Sequence, residues 1–85
     1  MKVKELASKY IEKAERVLGE ISLSNLPIYI NEELVKMVIE EAERYLKDAK
    51  FYLGVQRFET SLAAVSYCEG LLDALRMLGL VEFSW

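Results

Sequence analysis

Charge is spread unevenly along this chain, and that unevenness limits what it can fold into. Residues 1–57 hold ten of the eleven basic residues, whereas residues 60–81 hold only Glu69, Asp73 and Arg76. The charged part repeats apolar residues at three- and four-residue steps, the spacing of amphipathic helices. The segment from Thr60 to Val81 is apolar around most of its helical circumference and has little face to give to water. Such a helix is either wrapped by two amphipathic neighbours or shared with a second molecule.

The chain has 85 residues, enough for one domain with one core. One proline and four glycines leave few turns, and 53% hydrophobic with 29% charged residues is a globular composition. These features predict an all-α fold: a three-helix antiparallel bundle with short connections, a single domain over residues 1–85.

The first helix is expected over Val3–Leu18, with Leu6, Ala7, Tyr10, Ile11, Ala14, Val17 and Leu18 on one face. Glu5–Lys9, Glu12–Arg16 and Arg16–Glu20 sit four apart on the other face, where each pair adds only ~0.3 kcal/mol. Ile21–Ile30 carries no charge, so Leu23, Leu26, Ile28, Tyr29 and Ile30 are expected to pack across the end of the bundle. Asn31 is a good N-cap for the second helix, with Glu32 and Glu33 in the first turn where the helix dipole favours negative charge. Its buried stripe is expected to run from Leu34 and Val35 through Ala42, Leu46 and Ala49 to Leu53, with Lys36–Glu40, Glu40–Arg44, Glu43–Lys47 and Arg44–Asp48 on the outside. Gly54 suits the left-handed residue after that helix, and Gly79 the same place after a third helix that starts between Arg57 and Thr60 and ends near Leu78.

Composition excludes several functions. The net charge of −3 and a sequence pI of about 5.0 argue against nucleic-acid binding, which needs excess Lys and Arg. The absence of histidine removes Ser-His-Asp and Cys-His catalysis and the histidine-containing metal sites. One cysteine cannot form an internal disulfide, and six charges in the first thirteen residues do not read as a secretory signal. The longest uncharged stretch, Ile21–Asn31, contains Pro27 and is too short to span a bilayer. A cytoplasmic protein with no membrane segment, no nucleic-acid partner, no catalytic or metal-ligating residues and no cofactor is the expectation.

Two groups of residues remain. Ser66, Gly70 and Ala74 form a strip of small side chains at four-residue steps. Glycine costs ~1 kcal/mol against alanine inside a helix, so its place there implies close approach by another helix. That helix is the first or second helix of the same chain, the plainer reading, or the third helix of a second subunit. Glu69 and Asp73 also lie four apart, with Arg76 three residues on. This polar cluster reads either as a rim in which Arg76 offsets two acids or as a ligand pocket. Cys68 reads as a small buried hydrophobe and the five tyrosines as core or core-edge residues. Phe83 and Trp85 either plug a groove or offer an aromatic hook to a partner.

Ser66-Tyr-Cys-Glu-Gly-Leu-Leu-Asp-Ala-Leu-Arg-Met-Leu-Gly-Leu-Val-Glu-Phe83 resembles the C-terminal signature of a family of small archaeal proteins, domain of unknown function 357. Tyr45-Leu-Lys-Asp-Ala-Lys-Phe-Tyr-Leu53 and Phe58-Glu-Thr-Ser-Leu-Ala-Ala-Val65 resemble it as well, while Gly54-Val-Gln-Arg57 departs from the Gly-Asp type of turn expected there. The resemblance implies a helical bundle of this size and supplies no activity or catalytic residues. It also implies an association of some relatives with nucleotidyltransferase-like domains. The leading expectation is a non-catalytic protein–protein interaction module that self-associates through the third helix and tail, using Ser66, Gly70, Ala74, Phe83 and Trp85. The alternative is an accessory or small-ligand-binding domain beside such an enzyme, with its pocket at Glu69, Asp73 and Arg76.

Overall fold

The computed structural model describes residues 2–85. Three helices, α1 (Val3–Glu20), α2 (Glu32–Gly54) and α3 (Phe58–Met77), form an antiparallel bundle. Two short strands, β1 (Ser22–Leu23) and β2 (Val81–Glu82), pair antiparallel with Ser22 opposite Glu82 and Leu23 opposite Val81. The Ser24 amide extends the pairing by donating to the Leu80 carbonyl at 3.1 Å. The connector after α1 is thereby tied to the segment after α3. The molecule is elongated, 45 × 20 × 17 Å.

The buried positions explain why these helices lie nearly parallel to one another's axes. On α3 they are Ser61, Val65, Cys68, Leu72 and Leu75, alternating steps of four and three. That 3.5-residue repeat keeps one seam facing its neighbours along the helix. Facing it, Ala7 and Ala14 on α1 and Ala42 and Ala49 on α2 are fully buried at seven-residue steps. Small residues on the seam bring helix axes toward the short end of the usual 8–10 Å. Ser61 is a buried polar residue within this seam, and its hydroxyl donates to the Ala49 carbonyl at 2.7 Å. The pairing satisfies a group whose burial would otherwise cost stability. Val35, Leu75 and Val81 form a second cluster at the strand end, joined by Leu23, Leu26 and Ile30.

The helix ends follow identifiable chemistry. Asn31 Oδ1 accepts from the Glu33 amide at 2.8 Å, the N-cap bond expected of it. After α3, Gly79 adopts φ +74°, its amide donates to Arg76 and that of Leu80 to Leu75. This is the Schellman arrangement, with Leu80 packed into the Leu75 cluster. At the end of α2 the same arrangement is displaced by two residues from the expected Gly54. The left-handed residue is Gln56, φ +63°, with Gln56 N–H donating to Leu53 and Arg57 N–H to Tyr52. The hydrogen bonds that close α2 outweigh the intrinsic cost of placing a non-glycine residue there, about 1–2 kcal/mol.

Three further expectations are corrected. Ile28 and Tyr29 do not pack across the bundle end; both are exposed, because they are the central residues of the turn closed by the Ile30 amide on the Pro27 carbonyl. Leu34 lies outside the buried stripe of α2, 58% exposed, because three helices cannot cover both flanks of α2. Most anticipated ion pairs at four-residue steps are absent. Arg16–Glu20 forms, but Lys36 turns back to Glu32 and Arg44 pairs with Glu41. Exposed pairs are worth too little to hold one geometry.

Candidate functional site

Helix α3 lies against both α1 and α2, and its two flanks differ. The flank toward α1 carries the polar cluster predicted from sequence. Asp73 Oδ1 accepts from the Trp85 indole N–H at 2.6 Å and from Arg76 at 3.2 Å. The Arg76 guanidinium sits 5.4 Å from the centre of the Phe83 ring, and Phe83 meets Trp85 edge-to-face at 5.0 Å. From α1, Arg16 donates to the Ser84 carbonyl at 2.9 Å and to Trp85 O. Lys13 lies 5.7 Å from the Trp85 ring centre and 5.2 Å from that of Tyr10. Trp85 is therefore held from both helices at once.

Of the two readings for this group, the rim describes its geometry. The Asp73 carboxylate is already engaged by two donors of its own chain, and Arg76 by Asp73 and Phe83. Glu69 differs, because its Oε1 is buried without a hydrogen-bond partner. Burial pushes its carboxyl above the ordinary range. Lys13 draws it down and Asp73 adds to the rise. Among the described residues, no group of three or more Asp, Glu, His or Cys side chains could hold a metal ion. Cys68 is fully buried, and burial, with Glu69 beside it, pushes its thiol up to about 11, so it is an inert packing residue.

The outer face of α3 and its flank toward α2 are open. Ser66, Gly70 and Ala74 are exposed, about half a helical turn from the core stripe. A Cβ placed on Gly70 would meet nothing within 4 Å. The expectation that a helix of the same chain approaches this strip is thus wrong; α1 and α2 are both occupied by the heptad seam behind it. Between Thr60 and Ala74 the exposed residues of α3 are Ala63, Ser66, Tyr67, Gly70 and Ala74, and none is charged. Three neighbouring shallow depressions run from the outer face of α3 onto its groove with α2. Leu71 is shared by the first two, and Leu34 and Val38 by the second and third. The charged residue lining it, Glu41, is partly exposed and pairs with Arg44.

Phe83 and Trp85 do not join the Ser66, Gly70 and Ala74 strip. They stand on the α1 flank, half-buried, as a plug. Sequence reading missed Tyr67, Met37, Leu34 and Leu78 as surface residues; they are 64%, 59%, 58% and 71% exposed. Tyr67 stacks on Tyr45 at 5.0 Å, at the groove edge rather than in the core. The heptad phase of Ser61, Val65, Cys68, Leu72 and Leu75 carries the missing signal, since it puts Ser66, Gly70 and Ala74 opposite the seam.

Fold and geometry together define a small three-helix bundle whose Asp73 and Arg76 are engaged with the tail and whose α2–α3 groove is apolar and open. The family described as "Protein of unknown function (DUF357)" matches residues 9–81, and the chain belongs to it. No curated protein and no solved structure matches the chain. Among the described residues, no helix is long and apolar enough to cross a membrane.

Proposed function

We propose that this chain is a non-catalytic protein–protein interaction module that docks through the α2–α3 groove, in a reducing, cytoplasmic setting where Cys68 stays a thiol. The observation that carries the reading is the uncharged exposed row Ala63, Ser66, Tyr67, Gly70 and Ala74 beside Leu34 and Met37. Scattered apolar surface residues are ordinary, but a continuous apolar groove along two helices marks an interaction surface. Its chemistry is that of a helix-binding groove, in which alternate turns of an apolar partner fill successive depressions. Asp73 and Arg76 are engaged in holding the tail, whereas the groove is left uncovered by it.

Site-specific photocrosslinking in the native cell tests this. A photoreactive residue replacing Tyr67 or Met37 is expected to give protein adducts, and the same residue replacing Lys9 or Lys47 on the charged exterior is not. Equal labelling from all four positions, or none from Tyr67 and Met37, rejects the groove as a docking surface.

A further inference from the structure

We infer that the occupant of the α2–α3 groove is a second copy of this chain, docked across a two-fold axis that passes beside Gly70, with the two α3 helices crossing at that point. The inference rests on the interaction reading above and names its partner.

Area is the first argument. Tyr29, Leu34, Met37, Tyr67 and Leu78 are 81%, 58%, 59%, 64% and 71% exposed. At roughly 200 Å² for a fully exposed large side chain, they offer on the order of 600–700 Å² of accessible surface. A typical monomer's largest apolar patch is about 300–600 Å², and a standard interface takes about 800 Å² from each partner. With Ser66, Gly70, Leu71 and Ala74 added, the face exceeds an ordinary monomer patch and approaches the size of a standard interface.

Charge is the second argument. A two-fold interface sets a surface against its own image, so any net charge on it opposes itself. This face avoids that conflict: Asp73 and Arg76 are engaged with each other and the tail on the α1 flank, Glu69 is half-buried there, and Glu41 is paired with Arg44. A strongly acidic or basic partner would find no complementary charge on it. Spacing is the third argument. Ser66 and Ala74 lie equally far from Gly70, so an antiparallel crossing at Gly70 sets Ser66 of each copy against Ala74 of the other. The open space around Gly70 lets the two backbones approach at the short end of the 8–10 Å helix-packing range. Tyr67, Leu71 and Leu78 flank the crossing and face the partner's α2 rim.

Sedimentation equilibrium of the full chain from about 1 to 500 μM tests the inference, with Gly70→Glu placing a carboxylate against its own image. Because nothing surrounds Gly70 within the chain, that variant is expected to keep the wild-type circular dichroism at low concentration. The expected result is a wild-type dimer that Gly70→Glu weakens at least 30-fold, while Lys9→Glu on the exposed side of α1 leaves it unchanged. A folded Gly70→Glu that still dimerises like wild type overturns the inference, and so does a wild type that stays monomeric to 500 μM. The crosslink from Tyr67 separates the two levels of argument. An adduct of twice the chain mass supports the second copy; an adduct of any other mass overturns it and leaves the interaction reading standing; no adduct overturns both.

Discussion

The two flanks of α3 carry residues only a quarter-turn apart, yet the chain treats them oppositely. Toward α1, two charged side chains, Asp73 and Arg76, and two aromatics are closed against one another, and Arg16 and Lys13 reach across from the neighbouring helix to the tail. Toward α2, apolar side chains stand open with no tail over them. The difference teaches that polarity in sequence marks a closed flank here and not an open one. Asp73 and Arg76 are used to seat the tail, and the uncharged Ser66, Tyr67, Gly70 and Ala74 are left outside. A carboxylate engaged by Trp85 and Arg76 does structural work, whereas an exposed glycine inside a helix costs helix stability and gains nothing from packing within its own chain.

The largest expected effect separates the flanks directly. Trp85→Ala removes the plug that α1 and α3 hold together, and should cost about 2–3 kcal/mol, somewhat less than a fully buried tryptophan. For a chain this size that lowers Tm by roughly 10–20 °C. Met37→Ala on the open flank should change monomer stability by no more than about 0.5 kcal/mol, as at ordinary surface sites. Equal losses from the two, measured by urea denaturation at low concentration, would erase the distinction. Next in size is Asp73→Ala, expected to cost about 1 kcal/mol because the group is partly exposed. In a double-mutant cycle with Trp85→Phe, which removes the indole N–H, most of that loss should disappear. Additive losses would mean that the 2.6 Å contact does not connect the tail to α3.

Much of the bundle was legible because its code is local. Helical periodicity located three helices within a few residues, Asn31 and Gly79 announced their caps, and Cys68 read correctly as buried. The β1–β2 pairing was not legible. Two residues per strand carry no periodic signal, and the pairing depends on α3 returning Val81 to Leu23. The cap at Gln56 was hidden because a residue outside the usual αL set occupies the left-handed position two places after a glycine that invites the assignment. The polar cluster and its rim reading were found in sequence but its tie to the tail was not, since the indole that engages Asp73 lies twelve residues away. For the small-residue strip the sequence showed spacing without direction. Only the heptad phase of α3 says that it points outward.

Smaller effects sharpen the contrast. Gly70→Ala should stabilise the dilute monomer by about 0.5–1 kcal/mol, since alanine restricts the unfolded chain and the added methyl meets no neighbour. A loss of stability at low concentration would show that something within the chain does approach the strip. The reverse change in the turn between α2 and α3, Gln56→Gly, should gain a similar amount in urea denaturation by relieving the left-handed φ.

The smallest effect is the pH dependence of the closed flank, and its sign is fixed by Glu69. Burial raises this carboxyl when the chain folds, against the pull of Lys13 and with the push of Asp73. The folded state therefore binds a proton more readily than the unfolded state. Its contribution to stability must fall as pH rises from the ordinary carboxylate value, about 4.3, through the raised folded value, and it stays unfavourable above that. Glu69→Gln keeps the shape and removes the ionised form. It should raise Tm slightly near neutral pH, with the gain shrinking as pH is lowered through the carboxylate range. Thermal unfolding of both proteins across about pH 4 to 7.5 reads this difference directly. A glutamine variant that is less stable at neutral pH would mean that the attraction of Lys13 exceeds the cost of burial, and that Glu69 belongs with Asp73 among the groups that hold the two helices together.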